Sequence, residues 1–214
     1  IEPGDLAAAY DRGASATAPA RRVGPVTLCD PAETVPREEA RAALGLPADG
    51  PIGLVSLGAG NINDTSGDVG AAAAGLRAAG CGVAVTQVEI ASASSTGGVH
   101  AVRAYPLARY YSAFDVVIAA AGYNSFHELL RGGVPSLFVP NRSTALDDQE
   151  ARAAFAADRG WALTLPHLTA ATVEDAVGTL LADGRAMAGR AVAADPGNGA
   201  GDAAALLREL AGAP

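Results

Sequence analysis

Residues 114–149 read FDVVIAAAGYNSFHELLRGGVPSLFVPNRSTALDDQ and alternate apolar runs with glycine-containing turns. The runs that end at Ala119 and at Pro140 are almost continuously apolar, which predicts two strands buried on both faces. A short helix is predicted between them over 123–131, and a second helix begins near residue 146. Strands that alternate with helices in this way favour a parallel sheet covered by helices.

The rest of the chain continues this alternation, with Ala-rich segments closed by glycine between apolar runs. The expected fold class is α/β, a Rossmann-like parallel sheet with helices on both faces. Residues 23–214 would form this domain after a tail or interdomain linker over residues 1–22, and residues 23–28 would be extended. The predicted strands cover 51–58, 82–89, 99–105, 114–119, 135–139 and 161–165, and the predicted helices cover 36–44, 67–79, 107–113, 123–131, 146–159, 170–182 and 203–210.

Composition narrows the classes of function. The 214 residues carry a formal net charge of −8 and are 50% hydrophobic, so a protein that binds nucleic acid through its phosphates is disfavoured. No apolar run reaches the ~18 residues that suggest a membrane span, and no signal-peptide pattern is visible. Cys29 and Cys81 stand in apolar contexts, and we expect reduced core thiols in a cytoplasmic protein.

Ligands of parallel sheets bind at the loops that follow the strands, and the first such loop is LGAGNIND at 57–64. Gly58 and Gly60 allow backbone N–H groups to approach an anion closely, although a plain tight turn is an alternative. Asn63 stands where a dinucleotide fingerprint has its third glycine, and Glu89 lies later than the usual ribose carboxylate. A nicotinamide-dependent dehydrogenase is therefore disfavoured.

The second loop ends at Gly122, and a helix is expected to begin with Tyr123, Asn124 and Ser125. The first N–H groups of a helix have no partner within it and lie at its positive end, so a diphosphate is a suitable ligand. Glu128 follows Ser125 by three residues, and its two oxygens match a ribose 2′,3′-diol. The same spacing is typical of a capping box, which is the alternative interpretation.

The histidines give weaker signals. His127 and Glu128 begin an HE dipeptide, but a zinc HExxH motif needs a second histidine where Arg131 stands. We therefore expect no metal site at this position and a packing role for His127. His100 and His167 are isolated histidines, for which a structural role is also expected.

The third loop leads into Asp147, Asp148 and Gln149 at the start of another helix. Aspartate often caps a helix, but a helix needs only one cap, and three polar side chains are present. Sugar hydroxyls need both acceptors and donors, which Asp148 and Gln149 provide in adjacent positions. Arg142, in the same loop, either adds charge for a phosphate or is a solvated loop arginine.

These motifs resemble the C-terminal, nucleotide-sugar-binding domain of GT-B glycosyltransferases. The pattern is most similar to the branch that holds the peptidoglycan lipid-intermediate N-acetylglucosaminyltransferases and the UDP-glycosyltransferases. Gly122, Ser125 and Glu128 match a glycine, a hydroxyl residue and a glutamate six positions after the glycine. The Val-Pro strand end at 139–140 and the polar pair that follows it also match. The broader resemblance runs from about residue 23 to residue 210.

The resemblance implies a role for each matching residue. The implied contacts are Gly58, Gly60, Asn61, Gly122, Asn124 and Ser125 for the diphosphate, Glu128 for the ribose, Tyr105, Pro106 and Leu107 for the base, and Asp148 and Gln149 for the sugar. Two positions depart from the pattern. Ala120 stands where many relatives have a histidine that binds phosphate, and Arg152 replaces an asparagine that is common after the glutamine.

The resemblance also implies the reaction, which is transfer of a sugar from a nucleoside-diphosphate sugar, with UDP or TDP, to an acceptor hydroxyl. In this family the acceptor and the catalytic base come from an N-terminal domain, which nothing here resembles, and no metal or other cofactor is required. We therefore expect a donor-binding domain that is inactive alone. Because the chain starts at Ile1, an excised fragment is weakly favoured over two alternatives. These are a natural binding subunit of a two-chain glycosyltransferase and a domain of a sugar-nucleotide 2-epimerase.

Overall fold

The computed structural model describes residues 21–58, 66–86, 98–142 and 147–212. The strands within these ranges are β1 Ile52–Ser56, β2 Gly82–Thr86, β3 Val99–Val102, β4 Val116–Ala119, β5 Ser136–Phe138 and β6 Leu163–Thr164. They form one sheet in the order β3-β2-β1-β4-β5-β6, and every neighbouring pair is parallel. The expected Rossmann-like α/β class is confirmed.

Within the described ranges, helices connect β1 to β2, β3 to β4, β4 to β5 and β5 to β6. The α-helices are α1 Arg37–Ala43, α2 Ser66–Ala78, α3 Tyr123–Arg131, α4 Gln149–Asp158, α5 Ala170–Ala193 and α6 Ala200–Leu210, and two 3-10 helices cover Pro31–Glu33 and Leu107–Ala113. No helix in the described part of the chain is both long enough and apolar enough to cross a membrane.

Strand β4 shows why the strands read as continuous apolar runs. Val117 and Ala119 belong to the core on one face of the sheet, and Val116 and Ile118 belong to the core on the other face. All four are fully buried. A strand covered on both faces has no position open to water, so every side chain in it is apolar.

Two glycines bring α2 close to its neighbours. A Cβ atom on Gly53 in β1 would lie 2.2 Å from Leu76, and a Cβ atom on Gly75 would lie 2.5 Å from Val173 in α5. A larger residue at either position would push the helix away from the sheet or from α5. Glycine at these two positions therefore sets the distance at which α2 packs.

Helix α5 is longer than predicted, because the helix expected over 170–182 continues to Ala193. Gly184 lies in the extension and is a poor helix former. A Cβ atom there would lie 2.7 Å from the Cβ atom of Pro135, so the glycine lets α5 cross the start of β5. Burial of Met187 in the extension stabilises the continued helix.

Other boundaries differ by a few residues. The strands predicted over 99–105 and 161–165 shorten to β3 and β6, and the helix predicted from about residue 146 begins at Gln149. β3 ends at Val102, which pairs with Thr86, the last described residue of β2. β6 ends at Thr164, although the N–H of Leu165 still donates to the carbonyl of Phe138 at 3.1 Å. Residues 87–89 of the predicted strand 82–89 lie outside the described residues, and within those residues the elements alternate as predicted.

The strand order reverses between β1 and β4. Ser56 pairs with Ala119 at the carboxyl ends of these two strands. The N–H of Ala120 donates to the carbonyl of Ser56 at 3.1 Å. The loops after β1 and β4 therefore leave the sheet side by side, at the switch point where open α/β sheets bind ligands.

Residues 23–30 run without regular secondary structure and contact the junction between α5 and α6. The N–H of Gly199 donates to the carbonyl of Pro25 at 2.9 Å. The side-chain amide of Asn198 donates to the carbonyl of Thr27 at 3.1 Å. These hydrogen bonds join residues about 170 positions apart in the sequence. We call residues 23–30 the N-terminal segment.

Candidate functional site

Helix α3 begins directly after the loop that follows β4. Its N-cap is Gly122, and no side chain caps it. The N–H groups of the first turn therefore lie at the carboxyl edge of the sheet, where the positive end of the helix dipole favours an anion. Asn124, which is exposed, and Ser125, which is half-buried, fall in this turn with Gly122. The structure thus brings three of the predicted diphosphate residues together.

The capping-box interpretation of Ser125 and Glu128 is wrong. In a capping box the serine is the N-cap residue and the glutamate is the third residue of the helix. Here Gly122 is the N-cap, and Ser125 is itself the third helical residue. Glu128 lies in the next turn, so its carboxylate has no role in closing the helix start.

Glu128 lies beside the N-terminal segment. The backbone N–H of Leu28 donates a hydrogen bond to the Glu128 carboxylate. Burial raises the pKa of this carboxyl, and the hydrogen bond from Leu28 opposes the rise. Burial, and then the Glu128 charge, also raise the pKa of the Tyr111 hydroxyl. The carboxylate is therefore half-buried between the N-terminal segment and the 3-10 helix that carries Tyr111.

Leu28 lies beside Glu128, and no motif in the sequence indicated this contact. Its side chain is 59% exposed, while its N–H contacts Glu128. Next to it, burial chiefly raises the pKa of the Cys29 thiol, and the charges of Glu33 and Glu128 add to the rise. The N-terminal segment forms one wall beside Glu128, and no local pattern indicates a contact across so long a sequence separation.

Arg131 holds the N-terminal segment against α3. Its side chain, only 8% exposed, pairs with Asp195 at 3.1 Å and with Asp30 at 3.2 Å. It also donates a hydrogen bond to the hydroxyl of Thr27. The helix that carries Glu128 therefore also anchors the wall beside it.

The polar residues at the start of α4 are hydrogen-bonded within the protein. Asp148 caps α4, because its Oδ1 accepts the N–H of Ala151 at 3.0 Å. Gln149 is buried. Its Oε1 accepts the N–H of Asn141 at 3.0 Å, and its Nε2 donates to Asp147 at 3.1 Å. The cap alternative holds for Asp148, and sugar binding by Asp148 and Gln149 stays a prediction.

Gln149 also brings the second and third loops together. A Cβ atom on Gly122 would lie 3.8 Å from the Nε2 atom of Gln149. The residues expected to hold the diphosphate and the sugar are therefore neighbours at the carboxyl edge of the sheet. Such an arrangement suits a ligand in which a diphosphate is joined directly to a sugar.

The remaining predicted residues follow β1 and β3. Gly58 has φ of 94°, in the left-handed region that favours glycine, while Gly60 and Asn61 lie outside the described residues. Tyr105, 86% exposed, precedes Pro106, the N-cap of the 3-10 helix that Leu107 begins. Because this helix carries Tyr111, the predicted base loop leads toward Glu128.

Two further side chains have packing or surface positions. His127 is buried, and its ring meets those of Tyr123 and Phe126 edge-on, with centroids 4.7 and 5.1 Å away. Arg142 forms an ion pair with Glu150 at 2.6 Å, and both side chains are about half exposed. This position agrees with the alternative of a solvated loop arginine.

Comparison with known proteins gives a family match. The model of the glycosyltransferase family 28 C-terminal domain matches residues 78–205. The chain is 36% identical over 159 residues to the UDP-N-acetylglucosamine--N-acetylmuramyl-(pentapeptide) pyrophosphoryl-undecaprenol N-acetylglucosamine transferase of Rhodococcus opacus (strain B4). That match covers 69% of this chain and 40% of the relative, so the chain spans less than half of the relative's length.

Solved structures share the fold. Acinetobacter baumannii MurG has a TM-score of 0.60 and 22% identity, over 91% of this chain and 58% of that one. The spinosyn rhamnosyltransferase SpnG complexed with thymidine diphosphate has a TM-score of 0.57 and 21% identity, over 92% of this chain and 53% of that one. At such identities the likeness concerns the fold alone. Because the family model covers more than half of the sequence, the chain belongs to the glycosyltransferase family 28 C-terminal domain.

Proposed function

We propose that this chain is the donor-binding domain of a glycosyltransferase that moves a sugar from a UDP- or TDP-sugar to an acceptor hydroxyl. The observation that carries the proposal is the start of α3 at the switch point of the sheet, with the half-buried Glu128 one turn further along. The UDP-sugar in the name of the Rhodococcus relative and the thymidine diphosphate in the SpnG structure support these two nucleotides.

The diphosphate would bind at the start of α3. Its negative charges would accept hydrogen bonds from the N–H groups of the first turn and from Asn124 and Ser125. Gly58, with Gly60 and Asn61, would bring the neighbouring loop to the same phosphates. The chain carries a net charge of −8, so a local positive helix end is needed to attract an anion to this face.

The ribose would bind Glu128. An ionised carboxylate has about four acceptor positions, so the hydrogen bond from Leu28 leaves room for both hydroxyls of a ribose diol. This hydrogen bond favours the charged form, which the diol requires. Because the Glu128 carboxylate is half-buried, fewer water molecules compete for it, and its hydrogen bonds to the ligand are stronger.

The base and the sugar would lie on either side of the ribose and the diphosphate. Backbone groups at 105–107 would hold the base, since the exposed Tyr105 side chain does not enclose a pocket by itself. Asp148 and Gln149 would contact the sugar beyond the second phosphate. Their hydrogen bonds within the protein fix their positions before a ligand arrives, which lowers the entropy cost of binding.

We assign the transfer step to the complete enzyme. A general base removes the proton from the acceptor hydroxyl, and the start of α3 stabilises the charge that develops on the departing diphosphate. The acceptor site and the base would come from an N-terminal domain or partner subunit, so this chain alone would bind donor without transferring sugar.

Isothermal titration calorimetry of the chain with nucleotides tests the proposal. UDP or dTDP should bind, and uridine or thymidine should bind much more weakly because they lack the diphosphate that α3 would hold. GDP serves as the comparison for base selectivity. Absence of binding heat with UDP, dTDP and GDP at millimolar concentrations would contradict the proposal.

A pair of Asp148 variants separates its cap from its predicted sugar contact. Asp148→Ala should destabilise the domain by about 1 kcal/mol, because the N-cap of α4 is lost. Asp148→Asn keeps a good cap, so urea unfolding should show almost wild-type stability. If the carboxylate binds the sugar, Asp148→Asn should bind a nucleotide sugar more weakly while its affinity for the nucleoside diphosphate is unchanged. Unchanged affinity for both ligands would leave Asp148 as a cap only.

A further inference from the structure

We propose that Arg152 is a positioning residue that fixes the start of α3 against the loop after β5, an inference that rests on the proposed function of this edge of the sheet. Arg152 lies in the first turn of α4 and is only 3% exposed. Arg152 departs from the glycosyltransferase pattern that the motifs resemble, in which an asparagine is common at this position.

The contacts of Arg152 join two loops. Its Nη1 donates to the carbonyl of Ala121 at 2.6 Å, and its Nη2 pairs with Asp147 at 2.7 Å. The other oxygen of Asp147 accepts from Gln149, whose Oε1 accepts the N–H of Asn141. A continuous chain of hydrogen bonds therefore runs from the residue before Gly122 to the loop after β5.

The geometry of a guanidinium explains why arginine suits this place. Its planar fork can donate to a carbonyl and to a carboxylate at the same time, in fixed directions. The carbonyl of Ala121 belongs to the peptide that leads into Gly122, so a shift of this carbonyl turns the first N–H groups of α3. Arg152 thereby sets the direction of the groups proposed to hold the diphosphate, relative to the pair proposed to hold the sugar.

Arg41 provides a matched control at another part of the fold. It is also buried, at 2% exposed, and its guanidinium also joins a carbonyl, that of Ala113, to a carboxylate, that of Asp115. These contacts hold α1 to residues 113–115, directly before β4 and away from the loops after β4 and β5. Arg41→Gln should therefore lower stability without changing the start of α3.

Amide hydrogen exchange tests the positioning without any ligand. Two amides report on the network: the N–H of Asn141 donates to Gln149, and the N–H of Phe126 donates to the carbonyl of Gly122. Arg152→Gln should speed hydrogen exchange at both. Arg41→Gln should leave both rates unchanged relative to those of amides in the strands, because a loss of global stability affects all of them alike. The milder Asp147→Asn, at a side chain 35% exposed, should give a smaller effect at the same two amides and covers the case in which Arg152→Gln does not fold. Unchanged exchange at these amides in a folded Arg152 or Asp147 variant would overturn the proposal.

Nucleotide affinity tests the consequence for binding. Arg152→Gln should weaken binding of UDP or dTDP about tenfold or more, and Arg152→Lys should not restore it, since an ammonium cannot make both contacts in the fixed fork geometry. Arg41→Gln should bind as the wild type does. Unchanged affinity in Arg152→Gln would overturn the role in binding. If the wild type binds no nucleotide, the proposed function is wrong, and the exchange rates still decide whether Arg152 positions the loops.

Discussion

Replacing Arg131 with methionine should destabilise the domain by about 3–5 kcal/mol, the range for breaking a buried ion pair. The side chain of Arg131 is 8% exposed and that of Asp195 is 17% exposed, so the aspartate would keep a charge with poor access to water. The hydrogen bond to Thr27 would also be lost. Urea unfolding followed by the fluorescence of the single tryptophan, Trp161, measures the change.

Two further variants show whether the buried charge is the cause. Arg142→Met removes an ion pair in which both side chains are about half exposed, and it should cost less than about 1 kcal/mol. The double variant Arg131→Met with Asp195→Asn removes both charges of the buried pair, so it should be more stable than Arg131→Met alone. A double variant no more stable than the single one would show that the loss comes from packing.

Glu128→Ala should weaken binding of UDP by about 1–3 kcal/mol, roughly 5- to 150-fold, because the ligand loses hydrogen bonds to a charged group. The loss for dTDP should be smaller, because its sugar lacks the 2′-hydroxyl. The ribose hydroxyls would lose their acceptor. Water cannot easily take its place, because the Glu128 position on α3 is half-buried. Calorimetric titration of the two proteins under the same conditions gives the ratio of the dissociation constants.

The control for this variant is Glu174→Ala, which removes an exposed carboxylate on α5 and should bind like the wild type. Deoxyuridine diphosphate, which lacks the 2′-hydroxyl, gives a second comparison. The wild type should bind it more weakly than UDP, and Glu128→Ala should bind the two almost equally. Equal affinity of wild type and Glu128→Ala for UDP would remove Glu128 from the ribose site.

Local pattern was sufficient for the sheet and for the start of α3. A strand covered on both faces must be apolar throughout, which made β4 recognisable, and Gly122 before a run of polar residues indicated where the next helix begins. The predicted range 123–131 is the range of α3. The extent of α5 was not predictable, because the reason for Gly184 is its contact with Pro135, a residue from another element.

The candidate site was predictable only as a set of loops. The spacing of Ser125 and Glu128 suggested a capping box, but such spacing has that meaning only when the helix begins at the serine, and here it begins after Gly122. The hydrogen bond from Leu28 to Glu128 and the one from Arg152 to Ala121 join residues far apart in the sequence. Contacts of this kind depend on the folded arrangement of the elements, which no motif encodes.

The contact of the N-terminal segment with Asn198 and Gly199 has a consequence for how the protein is made. A ribosome completes Glu128 and the first strands of the sheet well before residue 198 has been synthesised. Domains generally fold as units during synthesis, and the N-terminal segment cannot gain its final contacts until the last helices emerge. The wall beside Glu128, at the proposed nucleotide site, would therefore stay incomplete until Asn198 and Gly199 had been translated.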